Sequence, residues 1–438
     1  MGCYILTAMS VEKSLDTKVL PRGVLRVWSI FCIVAGLLWL ICVVVHKLGY
    51  DSQVKVLLDS PLTDITIYIH RFDLYRTPAF FAASSDPSVS TFAYPPSAAL
   101  IYDLFYKIVP HPRYIYVALI IISGAVVFTG TWLFWVRLLK SSSKGALFAA
   151  TSLLFCFPFL FLVQRGNIEL VVWAVISVGI LAYFRGAFYL SAVLLGSAAS
   201  FKLYPILLLG LFLSRRREFG PFLVGLASCV SLTLFALWFA GPSVGYAAHG
   251  FAAGVAGFQG GYATQIRPVE IGFDHSLFSP IKLLAIQYHM SSSELIRPYY
   301  LIAGLLAAVA FFLKVRSQPF INRLAFLVAG MVLLPPVSFE YTLVYLYLPL
   351  AFVLMALVQN SDGTHSRESR TGLIALACLL AILLPADIFG KTHTFFVGQF
   401  QVIPLLLLMC LAASVSWGST AADAAASTGR FSAIKVSG

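Results

Sequence analysis

Residues 24–45 read VLRVWSIFCIVAGLLWLICVVV, an apolar run with one charge, Arg26, close to its start. As a helix it extends about 33 Å at 1.5 Å per residue, enough for a hydrocarbon layer about 30 Å thick. The segment before it, residues 1–23, is polar and carries Lys13, Lys18 and Arg22. That lead is too long and mixed for a cleavable signal, and no small-x-small site follows the run. Residues 24–45 are therefore expected to stay as the first membrane span, with 1–23 as a cytoplasmic N-terminal segment.

Outward from this run the pattern repeats. Of 438 residues, 60% are hydrophobic and 11% charged, against about 45–50% and 25% in soluble proteins; mean hydropathy is +0.89. Further apolar runs lie near 114–138, 146–163, 168–184, 187–201, 203–213, 221–240, 297–313, 321–337, 341–358, 371–386 and 396–416. Such runs suit helices better than the ten-residue alternating strands of an outer-membrane barrel. The expected fold is an all-α polytopic membrane protein with about 12 transmembrane helices. One domain spans 24–416, and an Ala/Ser/Thr-rich tail, 417–438, is disordered and cytoplasmic. The runs 187–201 and 203–213 are short and read as a pair broken at Phe201-Lys202-Leu203-Tyr204-Pro205, where proline removes a donor. Residues 97–109 read as re-entrant or interfacial, because counting them as a crossing puts the basic clusters outside.

Charge sets the orientation. With both termini inside, the inner segments hold 18 Lys+Arg and 6 Asp+Glu, and the outer segments 12 of each. The whole net charge of +12 thus sits on the cytoplasmic face, with Arg215-Arg216-Arg217 as its sharpest marker. This explains the basic balance without nucleic acid. The cysteines, six of them in apolar runs, read as small buried hydrophobes; the scattered histidines and lack of a close acidic pair give no metal signature. No cofactor is expected.

On this topology the long polar segments face outward: the loops 46–113 and 241–296, Gln164-Arg165-Gly166-Asn167, the Lys202 break, Pro335–Tyr341 and Asp387–Gln399. Asp64 is the candidate general base, a carboxylate where Ile65, Ile67 and Ile69 alternate with Thr66, Tyr68 and His70. Asp51, Asp59, Asp73 and Asp86 are its rivals in the same loop. Arg165 beside Gln164 and Asn167 suits phosphate oxygens, or else pairs with Glu169 one turn on. Lys202 at the helix break is a second cation for an anionic head group, or a snorkelling lysine. Arg267, His275 and Lys391 are further cations of the outer loops. Asp274-His275-Ser276 is a chance tripeptide rather than a triad, and the Gly-rich 241–296 loop has no nucleotide fingerprint. Glu340 and Tyr341 end an apolar run, and Tyr94-Pro95-Pro96 stiffens the loop exit. No internal repeat is found, which disfavours a secondary transporter; the alternative kept open is a flippase or transporter of a lipid-linked sugar.

In their order, Asp64-(x)3-Tyr68, Tyr94-Pro95-Pro96, Gln164-Arg165-Gly166-Asn167 and Lys202-x-x-Pro205 resemble glycosyltransferase family 87. His275-Ser276-Leu277 and Pro335-Pro336-Val337-Ser338 continue the likeness. Family members often carry histidine where this chain has Phe339-Glu340-Tyr341, and asparagine where it has Asp274. The resemblance implies a GT-C-type fold with a functional first outer loop. It also implies an inverting transfer of a sugar, commonly mannose, from a polyprenyl-phosphate donor to a lipid or glycan acceptor. Asp64 takes the role of base. Arg165 and Lys202 meet the phosphate with Arg267, His275 and Lys391 behind them, while Tyr68, Tyr94, Gln164, Asn167 and Glu340 position substrate. The enzyme then sits in the cell (inner or plasma) membrane with its site on the outer, periplasmic side.

Overall fold

The computed structural model describes residues 21–49, 53–58, 62–66, 68–81, 92, 94–108, 112–139, 141–214, 219–258, 274–359, 367–385 and 397–417. They form helices and connecting turns; an isolated bridge between Asp274 and Phe339 is the one β-type pairing among them. The first helix, α1, is Arg22–Lys47. Three one- to two-turn helices follow: α2 (Gln53–Leu58), α3 (Thr63–Thr66) and α4 (Ile69–Phe72). Thr63–Thr66 and Ile69–Phe72 of the outer loop are thus short helical turns. Next come α5 (Pro96–Ile108), α6 (Pro112–Leu139), α7 (Ser142–Leu154), α8 (Phe157–Arg165), α9 (Glu169–Phe184) and α10 (Phe188–Phe201). A 3-10 helix, Tyr204–Leu213, leads to α11 (Phe219–Ala240), α12 (Val244–Phe258), α13 (Phe278–Gln287), α14 (Ser292–Leu313) and α15 (Phe320–Leu333). A second long 3-10 segment, Glu340–Leu346, runs into α16 (Tyr347–Gln359), followed by α17 (Arg367–Ile382) and α18 (Val397–Ser414).

Among the described residues, five helices are individually long and apolar enough to cross a bilayer: Arg22–Lys47, Tyr114–Leu133, Phe219–Ala240, Ser292–Ser317 and Glu340–Val358. The pair α7 and α8, bent by 60°, makes a sixth if it counts as one span. The sequence reads this pair as one run, 146–163; the bend falls at Phe155-Cys156, just before Pro158 in the first turn of α8. Proline fits a first turn and cannot continue the preceding helix.

Long-range contacts sort the helix ends into two groups. Tyr116, in the first turns of α6, donates its hydroxyl to the Asn167 carbonyl (2.8 Å). Toward the other end of α6, the Trp135 ring packs edge-on to Trp28 of α1, centroids 4.9 Å apart. Asn167 and Glu169 stand at the start of α9, and Tyr183 near its end bonds the Leu211 carbonyl (3.3 Å). Arg323 reaches that same carbonyl (3.0 Å), and its neighbour Asn322 bonds the Val415 carbonyl (2.7 Å). One end of the bundle thus collects Asn167, Glu169, Tyr204 and Tyr345, the other Tyr183, Leu211, Asn322 and Arg323. Both flanks of α5 belong to the first end, since Tyr94 before it and Tyr116 after it bond Asn167.

Two local devices shape the middle of the bundle. The Tyr204–Leu213 segment, with Pro205 in its first turn, covers about 20 Å as a 3-10 helix, where the same ten residues would cover about 15 Å as an α-helix. Its short apolar run thereby reaches further across the layer. Against it, α10 and α11 cross where glycine faces glycine: a methyl on Gly196 would collide with the Gly225 carbonyl oxygen, and one on Gly225 would lie 3.0 Å from the Ala192 carbonyl oxygen. Small residues at such a crossing let apolar helices approach closely.

Candidate active site

The site is built on the turn between α8 and α9. α8 closes with Gly166 in the left-handed region (φ 68°), which glycine adopts without a Cβ penalty. The missing side chain also admits a neighbour, since a Cβ at Gly166 would lie 3.0 Å from the Cα of Leu62. Leu62, itself at φ 60°, donates its N–H to the Gln164 carbonyl (2.5 Å). The outer loop is thereby pinned to the α8–α9 turn two residues before Asp64.

This docking buries Asp64. Arg165 donates through Nη2 to Oδ1 of Asp64, and Asn167 donates through Nδ2 to Oδ2 (2.6 Å). A carboxylate has about four acceptor positions, so the two contacts leave lone pairs for a further donor. Asn167, fully buried, also donates to the Tyr94 hydroxyl (2.9 Å), and its Oδ1 accepts the Glu169 N–H (3.0 Å). One amide thus ties the outer loop, the Tyr94 turn and the start of α9. Desolvation among the surrounding rings pushes the Tyr94 phenol well above its ordinary value, with Tyr102 and Asp64 adding to it. Tyr94 therefore stays protonated. Arg165 is the exposed member of its pair, with 35% of its side chain accessible against 9% for Asp64, and its buried Nε has no hydrogen-bond partner among the described residues.

A second ion pair adjoins the first. Lys202 caps α10 in an extended conformation and brings Nζ to 3.1 Å from Oε1 of Glu169. That ammonium lies 4.3 Å from the Tyr94 ring centroid and 5.9 Å from that of Tyr341, within cation–π range. The Tyr204 hydroxyl donates to Oε1 of Glu169 and the Tyr345 hydroxyl to Oε2. From Lys202 to Asp64 the path is three contacts of 4.3, 2.9 and 2.6 Å, through Tyr94 and Asn167. The formal charges of Asp64, Arg165, Glu169 and Lys202 sum to zero.

His275 lies in a different cluster. It is fully buried, with Nε2 3.1 Å from Ser338 Oγ and 3.2 Å from Thr342 Oγ1. Asp274, ion-paired with buried Lys282, accepts the backbone N–H groups of Ser276 (3.0 Å) and Ser338 (2.9 Å). Gln399 donates to the Asp274 carbonyl (3.1 Å). These bonds clasp residues 274–282 to 336–342 and to the start of α18. The Glu340–Leu346 helix joins the two clusters: Tyr341 and Tyr345 serve the Asp64 side, Thr342 the His275 side.

Of the residues singled out in the sequence, Asp64, Arg165, Lys202, Tyr94 and Asn167 meet in one network. Gln164 holds the loop through its backbone, and Tyr68 packs edge-on to Tyr94, centroids 5.9 Å apart. Glu340 is buried beside Tyr341. Asp73 is exposed at the C-cap of α4. Arg267, Lys391, Arg215–Arg217, Asp51, Asp59 and Asp86 lie outside the described residues, as does the tail from 418. The alternative partner for Arg165 is overturned, because Arg165 takes Asp64 and Glu169 takes Lys202. Glu169 was therefore undervalued; its position directly after the Gly166-Asn167 turn, at the head of an apolar helix, was the signal available.

A family model described as glycosyltransferase family 87 matches residues 92–338. The match takes in Tyr94, the Gln164–Asn167 turn, Glu169, Lys202, His275 and Ser338, and begins after Asp64. No curated protein and no solved structure matches the chain. Covering more than half of the 438 residues, the match shows that the chain belongs to glycosyltransferase family 87, as a membrane glycosyltransferase that moves a sugar from a donor to an acceptor.

Proposed function

We propose that this chain transfers a sugar, mannose in the first instance, from a polyprenyl-phosphate donor to a lipid or glycan acceptor at the outer face of the membrane. The topology proposed with it is twelve crossings with both termini cytoplasmic, α5 lying on the outer side, and a single domain over 24–416. Asp64 acts as general base. It takes the proton of the acceptor hydroxyl through a lone pair not engaged by Arg165 or Asn167, while that oxygen forms a bond to the anomeric carbon. The bond from that carbon to the phosphate oxygen breaks from the opposite face, the phosphate leaves with the electron pair, and configuration inverts.

Positive charge placed where negative charge develops is the main aid to such a departure. Arg165, the more exposed cation, meets the phosphate first, and Lys202 meets it from the side of Tyr94. Tyr94 accepts from Asn167 and so keeps its own proton for a substrate oxygen. Arg267 and Lys391 are held in reserve as further phosphate contacts, since the four network charges cancel. The observation that carries this reading is the convergence of Asp64, Arg165 and Lys202 through Asn167 and Tyr94 in a family 87 chain.

The test supplies the full-length chain, in membranes, with labelled polyprenyl-phosphate-mannose or with the corresponding nucleotide sugar. Label is expected in the lipid or glycan fraction only from the lipid-linked donor. Transfer from the nucleotide sugar alone rules the donor assignment out.

A further inference from the structure

Glu169 has no part in the chemistry above, yet of the four network charges it is the only one fully buried. We propose that Glu169 is a positioning residue for transfer, holding Lys202 over Tyr94 so that the ammonium meets the leaving phosphate as charge develops. This inference rests on the donor reading given above.

Two segments distant in the chain converge on its carboxylate. Glu169 opens α9, Lys202 and Tyr204 come from the break after α10, and Tyr345 comes from the 3-10 segment before α16. A lysine side chain is a point charge on a flexible four-carbon stem, and on its own it directs nothing. Here Glu169, fixed by two tyrosine hydroxyls from different segments, holds the ammonium as an ion pair, Nζ 3.1 Å from Oε1. The Tyr94 face at 4.3 Å restrains the same ammonium from a second direction. The ammonium's N–H groups are left for a phosphate, and the position of the charge is set by protein rather than by the substrate. An aimed charge of this kind aids the transition state more than ground-state binding.

A role through Lys202 makes three kinetic demands on the full chain reconstituted in membranes. Glu169→Gln should lower kcat about 10–100-fold, the range set by one charge-assisted contact, with donor KM within about threefold of wild type. Lys202→Gln should lower kcat by a similar factor and also raise donor KM. In the double variant the kcat losses should not multiply, because each removes the same aimed ammonium. Glu169→Asp, which keeps the charge, should recover most of the rate.

Multiplying losses in the double variant, or Glu169→Gln at wild-type kcat, overturns the inference while leaving the donor reading intact. A wild-type chain silent with polyprenyl-phosphate sugars takes down both. Should Glu169→Gln not fold, Tyr204→Phe and Tyr345→Phe loosen the carboxylate without discharging it. Each must then lower kcat with donor KM nearly constant, and wild-type kcat in both refutes the proposal.

Discussion

Asn167→Asp is the substitution that most sharply probes how the site is assembled. The two side chains have nearly the same shape, so packing is preserved and only the donors are lost. The amide now lies 2.6 Å from Asp64 Oδ2 and 2.9 Å from the Tyr94 hydroxyl. An aspartate there sets two carboxylates against each other in a fully buried position. At a charge separation of about 4 Å and an effective dielectric of 20, the repulsion is about 4 kcal/mol. The lost charge-assisted hydrogen bond adds about 2 kcal/mol. The sum is a large part of the 5–15 kcal/mol by which folded proteins are typically stable. Like carboxylates this close relieve the strain by sharing a proton, which would occupy the very lone pairs the base needs. The expected result is a melting temperature several degrees lower for the purified full chain in detergent, and transfer reduced at least about 100-fold. Asn167→Leu, which removes the donors without adding charge, should be milder in melting. A variant Asn167→Asp that melts and transfers like wild type would refute the network as drawn.

Other consequences concern the scaffold. Asp274→Asn removes the carboxylate paired with buried Lys282, and breaking a buried pair costs about 3–5 kcal/mol; melting should fall clearly while the donor KM of the surviving protein stays put. Gly196→Ala drives a methyl into the Gly225 carbonyl. Overpacking of this kind costs about 1–3 kcal/mol or more, so expression and melting should drop, whereas Gly124→Ala, where nothing lies within 4 Å of an added Cβ, should be silent by the same assay.

Much of the site was legible because a lipid-facing chain makes polar and helix-breaking residues conspicuous. Lys202 with Pro205, and Arg165 with Gly166, interrupt apolar runs that would otherwise continue, and a charge there demands a reason. The membrane class followed from composition and run length. Partnership was not legible. Arg165 stands four residues from Glu169, the ordinary helical pairing distance, yet the left-handed Gly166 ends the helix between them and turns Arg165 toward Asp64, 101 residues away. Tyr345 reaches Glu169 across 176 residues, a contact no local pattern announces. The break between α7 and α8 was hidden for a different reason: it lies inside an apolar stretch, where composition does not distinguish one helix from two.

The measurement that bears most directly on the mechanism is transfer from labelled polyprenyl-phosphate-mannose by Asp64→Asn and wild type at equal expression in membranes. Asparagine fills the same space and still accepts from Arg165, but it has no carboxylate to take a proton. A general base contributes about 10²–10⁴-fold, so a rate lower by that factor at unchanged donor binding is the predicted result. An Asp64→Asn enzyme that keeps pace with wild type contradicts it, and hands the base to another carboxylate.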